Sequence, residues 1–264
     1  MYSRSGIKSY RVSFDFYVTS GIKLLLISNF AAFIFEALLY HFSGLSAYGE
    51  LLKWFGLVPA GVVPLFHIWQ PFTYLFLHDV NSIWHILMNM LMLWMFGREL
   101  ELVWGKSRFL RYYFLTGVAA GVINVMVKMA PAALGKGIPI TAYIPTIGAS
   151  GAIFGILIAC AILFPDRRVY LFPFPVAMSM RTIVIIMTIL TFLGTFGLGA
   201  DNVSHLCHLG GLLVGYVYLR RGSFLNSLRN SVSDWQHRRN RRRFEVYMGK
   251  HRKDPPSRPD NWVN

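Results

Sequence analysis

The sequence predicts an all-α polytopic membrane protein, a bundle of six transmembrane helices. Composition is the first reason. Of 264 residues, 55% are hydrophobic and only 14% are charged, where a soluble domain carries about 25% charged residues. Placement is the second. The apolar excess lies in runs close to the ~20 residues that cross a bilayer core, and the basic residues between the runs fall almost entirely on one side.

The spans are expected at residues 21–40, 84–104, 109–127, 147–164, 182–197 and 204–219. The first follows a polar, basic segment and has no small-residue cleavage site after it, so a removable signal peptide is not expected. It carries Glu36, read as a residue near the outer helix end. Residues 41–83 form a long connection rich in aromatics, among them Trp54, Phe55, Trp69, Phe72, Tyr74 and Phe76. Such a loop is expected to lie in the membrane interface rather than project into water. The second span opens with His85 and Asn89. The third is mostly apolar, and the fourth opens with Gly148-Ala149-Ser150-Gly151. The fifth is apolar, and the sixth contains His205, His208, Gly211 and Gly215. Several spans fall short of ~20 residues. Their helices are expected to begin below the membrane surface, where non-helical backbone must be buried in protein or face a wet cavity.

Orientation follows from the lysines and arginines. With the N-terminus in the cytoplasm, 23 of the 26 basic residues lie inside, and only Lys53, Lys128 and Lys136 lie outside. Both termini are therefore expected in the cytoplasm. The chain divides into a cytoplasmic N-terminal segment (1–20), a membrane domain (21–220) and a basic cytoplasmic tail (221–264). This placement accounts for the net charge of +14 without nucleic acid as a partner. The lipid bilayer is the expected partner, with the arginine cluster from Arg238 to Arg243 set against anionic headgroups. Cys160 and Cys207 lie inside apolar runs, which argues against a disulfide framework and a cysteine metal site. The plain six-span layout fits a bacterial inner membrane.

Three polar features inside the spans carry possible chemistry. Ser150 taken alone is more often helix-packing glue than a nucleophile. His85 and Asn89, four residues apart, share a helix face and could simply make a polar contact between helices. Gly151 with Gly155, and Gly211 with Gly215, are spaced to let helices approach closely. A histidine in a span is costly in lipid and marks function by default. Topology favours a site. Spans two, four and six run in the same direction, so Ser150, His85, Asn89 and His208 share a depth below the outer surface. A hydroxyl needs an adjacent imidazole to become a nucleophile, and His208 can supply it from the facing helix. His85, Asn89 and the N–H groups opening span four could stabilise an oxyanion. Gly148 and Gly151 leave room for a substrate backbone.

The combination resembles the rhomboid family. Residues 72–78 with Trp84-His85-x-x-x-Asn89 look like its first-loop and second-helix region. Gly148-Ala149-Ser150-Gly151-Ala152-x-Phe154-Gly155 is similar to its nucleophile motif, and His208-x-x-Gly211-x-x-x-Gly215 to its sixth-helix histidine motif. Together they cover about residues 65–220. The resemblance implies a six-helix rhomboid-like core and an intramembrane serine endopeptidase with a Ser–His dyad. It implies Ser150 as nucleophile, His208 as base, His85 and Asn89 at the oxyanion, and Phe154 packed on the histidine. It implies transmembrane proteins as substrates, with no metal and no cofactor. The family's arginine-containing loop motif is poorly matched in 41–83.

The same residues admit competing assignments. His205 is expected to be a wet-cavity histidine, since His208 has the spacing to the two glycines. Asp201 is expected to cap the sixth span or face the outer loop rather than complete a triad. A zinc protease needs His-Glu-x-x-His, and no His-Glu pair exists here. The main rival is a catalytically silent rhomboid-like protein that binds membrane clients. A small-solute transporter is the third possibility.

Overall fold

The computed structural model describes residues 17–171, 176–195 and 205–220. The basic tail, the first sixteen residues and Asp201 lie outside them. Helix α1 spans Ser20–Phe55, and short helices α2 (Pro59–Val62) and α3 (Gln70–Thr73) follow. Helix α4 (Ile83–Met92) passes through a π-helical turn, Leu93–Gly97, into α5 (Arg98–Trp104), so the second predicted span is one continuous helical segment. Helix α6 is Lys106–Ala133, α7 is Ser150–Leu163, α8 is Met180–Thr195 and α9 is His205–Arg220.

Among the described residues, α1 and α6 are long and apolar enough to cross a bilayer, and α7 and α8 are apolar but shorter. Among the described residues each predicted span contains a helix, though α7 begins only at Ser150 and residues 196, 197 and 204 lie outside those described. One departure from an all-α fold is a two-stranded antiparallel hairpin, β1 (Arg168–Leu171) with β2 (Val176–Ser179). It joins α7 to α8 and is too short to compete with the helices for core area.

The predicted outer loop is more ordered than its sequence suggested. Helix α1 runs past residue 40, breaks at Gly44 (φ 78°, ψ −179°) and resumes to Phe55. Only a residue without Cβ takes that backbone cheaply. The loop beyond is held by side chains. Trp54, His67 and Trp69 stack in a row, with centroids 5.0 Å apart at each step. Gln70 accepts from the Val58 N–H at 3.0 Å and donates to the Lys53 carbonyl at 2.8 Å.

The core centres on α7, packed between α6, α9 and the π-helical turn. The seven consecutive positions from Gly151 to Leu157 are all buried, as expected of a helix apolar all round. Small residues permit this packing. A Cβ on Gly211 of α9 would lie 2.0 Å from the Gly151 carbonyl oxygen of α7. Tyr112 of α6 donates its hydroxyl to the Gly155 carbonyl at 2.7 Å.

At the other end of the bundle, two carboxylates of α5 tie the helices together. Glu101 accepts from the backbone N–H groups of Gly21 at 2.7 Å and Ile22 at 2.9 Å, and from the Thr19 hydroxyl. It thereby satisfies the otherwise unpaired donors that open α1 and complements the positive end of that helix. Glu99 pairs with Arg167 just beyond α7, through two guanidinium contacts.

Candidate active site

Helix α7 places Ser150. Its 14 residues rise about 21 Å, short of the ~30 Å hydrocarbon core, so Ser150 opens the helix well inside the bundle. The irregular chain leading to it is satisfied by protein. Leu57 and Thr146 exchange N–H···O bonds at 2.9 Å each, and the Gly148 N–H donates to the Tyr74 carbonyl at 2.9 Å. That pairing is what buried non-helical backbone requires. Gly148 sits at φ 119°, a left-handed conformation, and turns the chain into α7.

The structure brings Ser150 and His208 together across the α7–α9 contact. The Ser150 Oγ and His208 Nε2 are 2.7 Å apart. His208 is 8% exposed, and its ring lies flat on Phe154, one turn beyond Ser150, with centroids 4.2 Å apart and planes 12° from parallel. Stacking fixes the imidazole plane and aims Nε2 at the hydroxyl. The other nitrogen, Nδ1, is buried with no hydrogen-bond partner among the described residues. The pair therefore has no carboxylate behind it there. An imidazole at this distance is able to take the serine proton, which turns the hydroxyl into a nucleophile.

His85 approaches from α4. A Cβ built on Gly148 would lie 2.9 Å from His85 Nε2 and 3.8 Å from Ser150 Oγ. The glycine thus leaves open a space that the imidazole and the hydroxyl both border. A carbonyl oxygen there would meet a donor from His85 and the N–H groups at the start of α7, whose first intrahelical bond is Ile153 to Ala149. Asn89 stands one turn below, 7% exposed, and its amide donates to the His85 carbonyl at 2.9 Å. No hydrogen bond joins it to Ser150 or His208 among the described residues. Gly151, Gly211 and Gly215 belong to the helix contact that carries the pair. A Cβ on Gly215 would lie 2.6 Å from the Tyr112 hydroxyl.

His205 departs from expectation. Both its ring nitrogens are buried, and a Cβ on Gly194 would lie 2.4 Å from the ring. It packs into the α8–α9 contact instead of facing a wet cavity. Its ring stands perpendicular to His208 with centroids 6.0 Å apart.

Two residues near the site take on contacts that the sequence did not indicate, and Glu36 corrects the expectation of a place near the outer helix end. Glu36 is fully buried and not at a helix end. It accepts from the His78 N–H, at 3.1 Å and 3.4 Å to its two oxygens. His78, also fully buried, has its ring centroid 5.1 Å from that of His85. Burial, reinforced by His85, pushes the His78 imidazole down to about 3. It is therefore neutral, and its Nδ1–H donates to the Phe76 carbonyl at 3.3 Å. An acid inside an apolar run was the available signal for Glu36.

Comparisons with known proteins agree with the motif pattern. A family model described as "Rhomboid domain" matches residues 65–222. The chain is 32% identical over 139 residues to "Rhomboid protein 1, mitochondrial" of Saccharomyces cerevisiae, covering 52% of this chain and 38% of that protein. It is 31% identical over 180 residues to "Rhomboid protease GluP" of Bacillus subtilis, covering 67% and 31%. It is 28% identical over 146 residues to "Presenilin-associated rhomboid-like protein, mitochondrial" of Homo sapiens, covering 53% and 35%. The aligned parts span only 38%, 31% and 35% of these curated relatives. Because the relatives include mitochondrial proteins as well as a bacterial one, the plain layout of spans no longer argues for a bacterial inner membrane.

Proposed function

The chain belongs to the rhomboid family, a family of integral membrane proteins, and on that premise we propose that it is an intramembrane serine endopeptidase working through a Ser150–His208 dyad. The observation that carries this proposal is the 2.7 Å contact between Ser150 Oγ and His208 Nε2, made by residues 58 positions apart on two helices. The substrates are transmembrane proteins, cut in or near their membrane helices. Six spans, both termini in the cytoplasm and a site opening toward the outer face complete the proposal. The basic tail lies against anionic lipid.

The chemistry follows from the groups present. His208 Nε2 takes the Ser150 proton as Oγ bonds to the scissile carbonyl carbon. The carbonyl oxygen becomes an oxyanion, held by His85 Nε2–H, by Asn89 and by the N–H groups opening α7; such donors act strongly because they are fixed before charge develops. The C–N bond then breaks, and His208 returns its proton to the leaving amine. Water, activated by His208 in the same way, releases the acyl group and restores Ser150.

Cleavage of a single-pass reporter in vesicles tests the proposal. Ser150→Ala and His208→Ala are each expected to lower turnover by at least ~10³-fold, as loss of a nucleophile or its base does elsewhere, without lowering expression. A serine-reactive fluorophosphonate is expected to label the parent at Ser150. A parent protein that binds the reporter without cutting it, and does not label, points instead to a silent client-binding member of the family.

A further inference from the structure

We propose that Glu36, which touches neither Ser150 nor His208, is a positioning residue that sets the His85 imidazole as a hydrogen-bond donor. The proposal rests on His85 acting at the oxyanion.

A neutral imidazole carries one N–H, and the hydrogen bond at its other nitrogen decides which. The backbone N–H of Asp79 donates to His85 Nδ1 at 3.3 Å. Nδ1 is therefore the acceptor, and the ring proton sits on Nε2. That is the nitrogen beside the open space at Gly148. With the opposite tautomer, a lone pair would face the developing oxyanion and repel it.

Asp79 lies in a turn without regular structure, so something else must hold its N–H in place. The residue before it, His78, is clamped by α1 on both sides of its Cα. Its N–H donates to the Glu36 carboxylate at 3.1 Å. The His78 carbonyl, which belongs to the same peptide unit as the Asp79 N–H, accepts from the Tyr48 hydroxyl at 3.3 Å. Glu36 to His78, His78 to Asp79, and Asp79 to His85 make one chain of contacts from α1 to the site.

Glu36 is 0% exposed and forms no salt bridge among the described residues. An unpaired acid in an apolar helix is costly, and an apolar residue would serve packing better. A structural pin of the loop is the plain alternative, and the experiment is chosen to separate the two.

Glu36→Leu, Glu36→Gln and Tyr48→Phe are compared with the parent in full-length protein, reading kcat and KM on the single-pass reporter and the ¹⁵N shifts of the His85 ring. Glu36→Leu is expected to lower kcat ~10–100-fold, less than removal of an oxyanion donor, with KM within ~3-fold, and to mix the His85 tautomers. Glu36→Gln keeps an acceptor for the His78 N–H and is expected to restore both readouts. Tyr48→Phe, which leaves α1 apolar and intact, is expected to shift the same ¹⁵N signals and lower kcat, and it carries the test if Glu36→Leu fails to fold. A His85 ring that stays in the Nε2–H form in Glu36→Leu and Tyr48→Phe overturns the proposal. So does a kcat loss that Gln does not restore. Should the parent neither cleave nor label at Ser150, the protease assignment fails instead, while the ¹⁵N shifts still report the coupling of Glu36 to His85.

Discussion

At the scale of single residues, the site depends on where atoms are missing as much as on where they are present. Gly148 is the sharpest case. Its φ of 119° is one that side chains avoid, and any Cβ would lie 2.9 Å from His85 Nε2. Gly148→Ala is expected to fold yet lose at least ~10²-fold in turnover, the scale of a lost oxyanion donor. Steady-state cleavage of the reporter checks this, and turnover within a few-fold of the parent would refute it. Phe154 acts by presence. Its face holds the His208 ring in plane at 4.2 Å, so the geometry of the pair does not depend on a third polar residue.

At the scale of elements, the contact between α7 and α9 sets the distance between Ser150 and His208. Gly151 follows Ser150 directly, and Gly211 follows His208 by nearly one turn. Where a Cβ at Gly211 would lie 2.0 Å from the Gly151 oxygen, the backbones must move apart to admit it. Gly211→Val is expected to cost ~1–3 kcal/mol, the usual range for overpacking a filled core, and to abolish cleavage by separating the dyad. Denaturant unfolding and reporter cleavage measure the two effects. Gly49→Ala is the control. It lies in α1 with nothing within 4 Å of the added Cβ, so stability is expected to hold or rise by ~0.4–1 kcal/mol. The short length of α7 has its own consequence, since Ser150 can begin a helix inside the bundle only because Tyr74 and Leu57 satisfy the chain before it.

At the scale of the whole molecule, charge placement makes a prediction about orientation, and carboxylates tie helices together. The 23-to-3 division of basic residues predicts an outer Lys53 and a cytoplasmic tail. Cys160 and Cys207 are buried, so cysteines placed elsewhere report cleanly. In intact cells a membrane-impermeant maleimide is expected to label Lys53→Cys, whose lysine side chain is 65% exposed. It is expected to reach Ser257→Cys only after permeabilisation. The reverse pattern would invert the topology. Glu101 and Glu99, both on α5, hold the ends of α1 and α7 at the side remote from Ser150, which leaves the other side of the bundle to form the site.

Composition, charge placement and motif spacing determined the membrane class, the helical segments and the grouping of Ser150, His208 and His85, to which the family resemblance added Phe154. Each is a local property: a run of apolar residues, the bias of the charges beside it, or polar residues at fixed offsets. Tertiary structure alone decided the ordered outer segment with its break at Gly44, the packing of His205 against Gly194 of α8, and the hydrogen-bond partners of Glu36, Glu99 and Glu101. Those depend on contacts between residues far apart in the chain, 42 positions for Glu36 and His78 and 82 for Thr19 and Glu101. A buried carboxylate has no sequence period and takes its meaning from the donor that packing brings to it.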